Sequence, residues 1–396
     1  MHHSRAKNNQ YRIVIDMKFG IARGLISLLS GLLMPVLTAI AISLSGFSLA
    51  SADSDTWQYG LMLDFAYAKN LTADKAHEWQ NKLTSYRLNQ PSPNMGMAYL
   101  RQLQDEDSPF GVELALQVGY DTDRQVPDQQ RMPGHSWLRY LGRANLSYRL
   151  PLGNGLNISA GLMNSFIGFE SIWSKDNNHY TRSWMADYSP YYLIGIGAQY
   201  PVSDQIQLGL FLLNDYDYLA YKTPQPKYAT QLIWSINQRW KFTQNLFAGS
   251  EQRSDPAGWR YFSNSILQWS GEAVSLAWAY DTGTQAVYQQ QAFWLASMLS
   301  GRWQMQPDWA VAIRPELYWD ADGLMTGQPQ LIKGATATFE YKTTYAGLRN
   351  LWRLEYRFDD AQGKQAGFFS GQDQTQNFIG QQQLLLLSCV LSFDSQ

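Results

Sequence analysis

Residues 309–319 read WAVAIRPELYW. Trp309, Val311, Ile313, Pro315, Leu317 and Trp319 occupy one set of alternate positions. Ala310, Ala312, Arg314, Glu316 and Tyr318 occupy the other. Side chains two residues apart share one face of a β-strand. One face of this segment is therefore apolar, and the other is small or charged. The same period recurs in segments of roughly ten residues, the length of a tilted transmembrane strand. Sixteen such segments are expected near 57–69, 93–104, 110–120, 136–150, 155–167, 190–200, 205–214, 227–241, 244–253, 259–269, 272–281, 289–304, 308–319, 333–343, 350–359 and 377–393. The expectation is all-β: one transmembrane antiparallel β-barrel over residues 53–396, with about sixteen strands and a working range of 12–18.

The connections alternate in length. Those at 70–92, 121–135, 168–189, 215–226, 320–332 and 360–376 are long. Pro151 to Asn154, Pro201 to Asp204, Ser270-Gly271 and Met305 to Pro307 are short. Bacterial outer-membrane barrels pair long external loops with tight periplasmic turns. The connections at 254–258 and 282–288 are short for external loops, with turn chemistry in Asp255-Pro256 and Gly283. Trp57, Trp137, Trp240, Trp259, Trp269, Trp303, Trp309, Trp319 and Trp352 fall near strand ends, where an interfacial girdle belongs.

Composition narrows the class. Of 396 residues only 16% are charged, 14% are aromatic, and 31 Lys and Arg face 33 Asp and Glu. That balance argues against a nucleic-acid binder. A single cysteine excludes a disulfide scaffold and a cysteine-based metal site, and no cofactor is expected. The one long apolar run, Gly24 to Leu49, follows Met17, Lys18 and Arg23 and ends in Ala50-Ser51-Ala52. This is the pattern of a secretory signal peptide. Pro35, Gly31 and Gly46 disfavour a retained helix, so residues 1–52 are expected to be removed, leaving Asp53 first. Removal takes five of the 31 bases and one of the 33 acids, giving a net charge of −6. The expected location is the bacterial outer membrane.

Four stretches carry a resemblance. They are GLNISAGLMNSFIGFESIWSKDNNHYTRS from Gly155 to Ser183, the hairpin from Tyr188 to Leu219 with Asn214-Asp215, RPELYWDADGLMTG from Arg314 to Gly327, and LWRLEYRFDD from Leu351 to Asp360. In order and spacing they are similar to the OmpL-like β-barrel porin-2 family. A weaker fifth is the terminal strand, with Leu385, Leu387, Cys389, Leu391 and Phe393 on one face. Asp394-Ser395-Gln396 beyond Phe393 departs from barrels that end on the Phe. The resemblance implies a porin-like channel and names no solute.

If the apolar face meets lipid, the other face lines the pore. Pore-lining candidates are Arg139, Arg143, Arg149, Arg314, Glu316, Glu340, Lys342, Arg353, Glu355 and Arg357. Arg139, Arg143 and Arg149 lack acids on their own segment and are the candidate basic pole. Loop 168–189 is either a solvated external loop or a constriction folded inward, with Phe169, Glu170, Trp173, Tyr180 and Arg182 facing solutes. The expected function is passive diffusion of small hydrophilic solutes. The alternatives are a narrow or plugged barrel serving as surface scaffold or adhesin, and then a hydrolase at the barrel rim. His77, His135 and His179 lie in loops, with Asp121, Asp123 and Asp128 near His135, but no catalytic motif joins them. Asp320 to Gly323 reads as a turn and not a calcium loop, because the twelfth position is Leu331. Expected partners are membrane lipid and lipopolysaccharide, the barrel-assembly machinery, solutes and further copies of the chain.

Overall fold

The computed structural model describes residues 57–73, 76–79, 82–104, 108–125, 136–214, 225–250, 258–287, 290–363, 366–368 and 379–395. The leader, Asp53, Asp128 and His135 lie outside them. Sixteen strands run in order: β1 Trp57–Asn70, β2 Pro91–Gln102, β3 Phe110–Val118, β4 Leu141–Leu150, β5 Leu156–Asn164, β6 Tyr192–Pro201, β7 Ile206–Leu213, β8 Lys227–Ser235, β9 Trp240–Ser250, β10 Trp259–Ser270, β11 Val274–Val287, β12 Gln290–Gln306, β13 Trp309–Asp320, β14 Gln330–Tyr345, β15 Leu348–Gln362 and β16 Gln381–Asp394. Each strand pairs antiparallel with its neighbour, and β1 pairs with β16, so the sheet closes without an edge. Closure satisfies every strand's backbone within the sheet, as a hydrocarbon surround requires. Among the described residues two short helices, α1 Tyr120–Gln125 and α2 Trp184–Asp187, lie in the long connections.

Parity is kept around the ring. On β13 the apolar set alternates with a fully buried set: Ile313 is 57% exposed, while Arg314 is 0% exposed. On β16 Leu385 and Leu387 face out, and Leu384, Leu386 and Val390 face in and are buried. The terminal strand is thus apolar on both faces, because its inner face also packs against protein. Cys389 is outward and half-buried. Trp137, Trp240, Trp303 and Trp319 are exposed on the outside, whereas Trp79, Trp184 and Trp294 are buried within.

Two local expectations shift. The segments expected at 227–241 and 244–253 are β8 and β9, joined by a four-residue turn at 236–239. Asn237 makes that turn: its side-chain oxygen accepts from the backbone N–H of Arg239 at 2.9 Å and Trp240 at 3.0 Å. Gly283 is in strand β11, not in a turn. It lies opposite Trp294 on β12, and a Cβ there would stand 2.1 Å from the indole ring. The glycine makes room for Trp294, and the hairpin extends to Val287 and Gln290.

The residues after Phe393 have structural work. Asp394 accepts a hydrogen bond from Tyr99 at 2.9 Å and two from Lys175 at 2.8 and 2.9 Å. Ser395 exchanges bonds with the backbone of Tyr59.

Replacing Gly283 with Val adds a good strand former where the indole leaves no room. Overpacking of this kind costs about 1–3 kcal/mol. Urea titration of the barrel in lipid vesicles should show a lower midpoint for Gly283→Val. An unchanged midpoint would refute the packing role.

Candidate functional site: the loop inside the barrel

The connection from β5 to β6, residues 165–191, folds into the lumen and docks on the inner wall. Its main contact is a ladder of charges on β13, β14 and β15. Arg353 donates to Glu340 at 2.8 Å and to the backbone carbonyls of Ser174 at 2.8 Å and Asn177 at 2.6 Å. Glu355 accepts from the backbone N–H of Tyr180 at 2.8 Å and Thr181 at 3.1 Å, and from the Thr181 and Thr338 hydroxyls. Arg357 donates to the carbonyl of Arg182 at 2.8 Å and forms a two-pronged pair with Asp359 at 2.9 Å. Arg314 donates to Glu170 and to the carbonyl of Thr181. Glu316 accepts from the backbone N–H of Trp184 at 2.6 Å, and Asp359 from its indole at 2.8 Å.

Arg314, Arg353, Glu355, Arg357 and Asp359 are at most 1% exposed. The wall therefore faces the loop's backbone, not open water. An irregular segment crossing a lumen carries carbonyls and N–H groups with no ladder partners. Interleaved Arg and Glu supply donors and acceptors in register with them.

The opposite side is held by a chain of side-chain amides that ends on the Asp281 carboxyl, none of them among the residues expected from the sequence. Gln199 donates to Gln231 at 3.1 Å, Gln231 to Asn245 at 3.0 Å, Asn245 to Asn264 at 2.8 Å, and Asn264 to Asp281. The carbonyl of Phe166 accepts from both Gln231 and Asn245, and the N–H of Gly168 donates to Asn264. Phe166 also stacks on Phe211 of β7 at 3.9 Å between centroids. The available signal was inward parity: each member of this amide chain alternates with lipid-facing neighbours.

The β1–β2 connection seals the loop from above. Lys82 is fully buried between the rings of Trp79 and Trp184, at 5.3 and 5.0 Å from their centroids. It donates to the carbonyls of Arg182 and Ser183 and ion-pairs with Asp187. Thr84 donates to the same carboxylate at 2.8 Å. On β1, Asp64 accepts from Ser174 at 2.6 Å and from Tyr180 at 3.0 Å.

The remaining expected residues fall as follows. Trp173 is 6% exposed, stacks on Tyr99 at 5.9 Å and lies under Arg143 at 3.8 Å. Tyr180 and Arg182 are fully buried, and Phe169 is half-buried against the loop core. Arg139 is not on β4. It sits in the 3₁₀ turn Ser136–Tyr140 and pairs with Asp123 of α1 at 2.9 Å. Arg143 pairs with Glu113 of β3. These two are thus corrected as members of a free basic pole, since adjacent elements supply acids that their own segment lacks. Arg149 and Lys342 are inward and partly exposed at the short-turn end. His77 is exposed whereas His179 is buried, and no cluster of metal-ligating residues exists among the described residues. Asp320 caps its own turn, accepting from the N–H groups of Leu324, Met325 and Thr326.

A sixteen-stranded barrel whose mid-lumen carries an inward-folded loop defines an outer-membrane protein of the porin class. The chain belongs to the family described as "Putative beta-barrel porin-2, OmpL-like", which matches residues 58–393. The resemblance read from the four stretches is thus borne out. The fold is similar to that of the outer membrane channel DcaP of Acinetobacter baumannii, at 9% identity over 87% of this chain and 99% of that one, with a TM-score of 0.56. It is also similar to an anion-selective porin from Comamonas acidovorans, at 11% identity over 85% and 98%, TM-score 0.51. The trimer form of Vibrio cholerae OmpT matches at 8% identity over 86% and 98%, TM-score 0.51. No curated protein matches the sequence.

Two predictions test the docking. Arg353→Met leaves the Asn177 carbonyl without its donor, the Ser174 carbonyl with only the 3.4 Å bond from the Asn177 N–H, and Glu340 with only Arg302. Breaking a buried pair from one side costs about 3–5 kcal/mol. The loop of this variant should become protease-sensitive while the barrel stays folded; a loop as resistant as the parent's would refute the role.

His179 is buried, and the Thr338 hydroxyl 2.8 Å from its Nδ1 donates to Glu355. Nδ1 must therefore be the donor to Thr338. Burial first, then Arg314, Arg353 and Arg357, hold the imidazole well below its usual range, against a weaker opposing contact with the Ile313 backbone. A histidine depressed on docking stabilises the docked loop fully above its free value of about 6.5, and loses that contribution as pH falls below it. Proteolysis of the loop should accelerate on acidification through this window, and His179→Asn should flatten the dependence. Equal pH profiles would contradict this.

Proposed function

We propose that the protein is a porin in which loop 165–191 narrows the lumen, and that small hydrophilic solutes diffuse through it passively. The observation that carries this reading is the loop's attachment at mid-barrel, above all to the charged wall by Arg353, Glu355 and Arg357. A stretch of the inner face on β4 to β7 stays polar and partly exposed beside the loop: Asn145 and Ser147 on β4, Asn157 and Ser159 on β5, Gln199 on β6 and Gln207 on β7. A lane lined by small neutral groups suits water and uncommitted solutes. In this reading Phe169, Glu170, Trp173, Tyr180 and Arg182 set the constriction, partly by contact and partly by holding the loop. The protein performs no chemistry. Residues 1–52 are removed on export, so an envelope preparation should give an intact mass beginning at Asp53. Lipid, lipopolysaccharide, the barrel-assembly machinery and further copies of the chain are its partners, as the trimer form named for OmpT illustrates for that protein.

The complete burial of the charged wall favours one second reading, a plugged barrel serving as a surface scaffold. Planar-bilayer recording decides between them. The porin reading predicts stable steps for the parent and steps several-fold larger once residues 168–189 are replaced by a short Gly-Ser link. Folded protein that stays silent in repeated insertions supports the scaffold and ends the porin reading.

A further inference from the structure

The inner rim at the short-turn end carries six basic side chains on six strands: Arg101 on β2, Arg149 on β4, Lys241 on β9, Arg302 on β12, Lys342 on β14 and Arg349 on β15. Each shares the parity of residues that face the lumen. Arg149 follows Arg143, Lys241 precedes Asn245, Lys342 follows Glu340, and Arg349 precedes Arg353. All six are partly or fully exposed.

The inward carboxylates at this level are Glu113, Glu340 and Asp394, with Asp176 of the loop 3.7 Å from Lys175 beside them, and each is already engaged. Glu113 pairs with Arg143 and lies 4.0 Å from Arg101. Glu340 takes Arg353 at 2.8 Å and Arg302 at 2.9 Å. Asp394 takes Lys175 at 2.8 Å. Among the described residues none lends Arg149, Lys241, Lys342 or Arg349 a carboxylate oxygen within 4.0 Å. Asp204, Glu272 and Asp308 sit on exposed turns beyond the strand ends, as does Arg239. Asp105, Glu106 and Asp107 lie outside the described residues.

Placement makes these charges matter. Arg149 stands at the foot of the neutral lane on β4 to β7 and leans over the turn, where a Cβ on Gly155 would be 2.7 Å from its Nε. Deeper in, the wall's bases are matched by acids and covered by the loop. A solute in the lane therefore meets neutral groups at mid-barrel and unmatched positive charge at one mouth. The acids of this mouth lie on the turn tips, whereas its inner rim, which a solute in the lane passes, carries free charge of one sign; such a rim raises the local concentration of the opposite sign, and rings of Arg and Lys are how anion pores select.

Resting on the channel reading above, we propose that the substrates are small anions, such as carboxylates and phosphates, and that Arg149, Lys241 and Lys342 are specificity-determining residues. Chloride is the probe. Purified full-length barrel in a planar bilayer under an about tenfold KCl gradient should give a reversal potential on the chloride side. The preference should weaken as ionic strength rises and the screening length shrinks. The triple variant Arg149→Gln, Lys241→Gln, Lys342→Gln should still open in stable steps in symmetric KCl, smaller than the parent's at low salt, and lose about threefold or more of its chloride-over-potassium permeability ratio. Each substitution is at the rim, away from the loop's anchors. Arg239→Gln, on a turn tip, should leave the ratio unchanged. A conducting parent that prefers potassium, or a triple variant with the parental ratio, overturns the proposal and leaves the channel standing. A barrel without conductance overturns both.

Discussion

A polypeptide segment that crosses the inside of a barrel must find partners for its backbone. Here the partners are side chains on the wall. Arg353 and Arg357 donate to three loop carbonyls, and Glu355 and Glu316 accept from three loop N–H groups. Buried ion pairs are weak evidence for net stability, but here donors and acceptors match one path of the chain. Their effect is to fix where the loop runs. Alternating sign also keeps the wall nearly neutral, so charge can be buried without a bare ion.

Other features follow from that placement. The loop must be held on its far side, which the Gln231, Asn245 and Asn264 amides do without adding charge. It must also be shielded from above, where Lys82 and Trp79 cover the carbonyls of Arg182 and Ser183. Lys175 of the loop reaches the last strand at Asp394, so the chain's C-terminal residues close the same assembly. With the wall's charge consumed internally, the unmatched charge is left at the rim.

The barrel was legible in the sequence because its signal is repeated. Alternation of the kind seen in Trp309 to Trp319 recurs sixteen times, and a slip of one residue would turn Arg314 and Arg353 toward lipid. The inward placement of Arg314, Glu316, Glu340, Arg353, Glu355 and Arg357 follows from the same parity. What parity does not encode is the object they face. Whether residues 165–191 run outward or inward depends on matches between backbone groups and side chains more than a hundred positions apart, such as Tyr180 with Glu355. The pairing of Arg143 with Glu113 was hidden for a related reason: the acid is on the neighbouring strand. Gly283 misled because glycine marks turns more often than it clears space for an indole.

All of this rests on the β5–β6 loop being docked inside the lumen. Asn178 of the loop donates to Ser300 of β12 at 3.1 Å, so a cysteine at each position, with Cys389→Ser to remove the native thiol, places two thiols side by side. Oxidative cross-linking in outer membranes is the direct measurement. A docked loop gives nearly complete disulfide formation, seen as an altered migration of the unfolded chain that reverses on reduction, with the single-channel step unchanged. Free thiols that react rapidly with a membrane-impermeant maleimide added from outside would place the loop in solvent and contradict it.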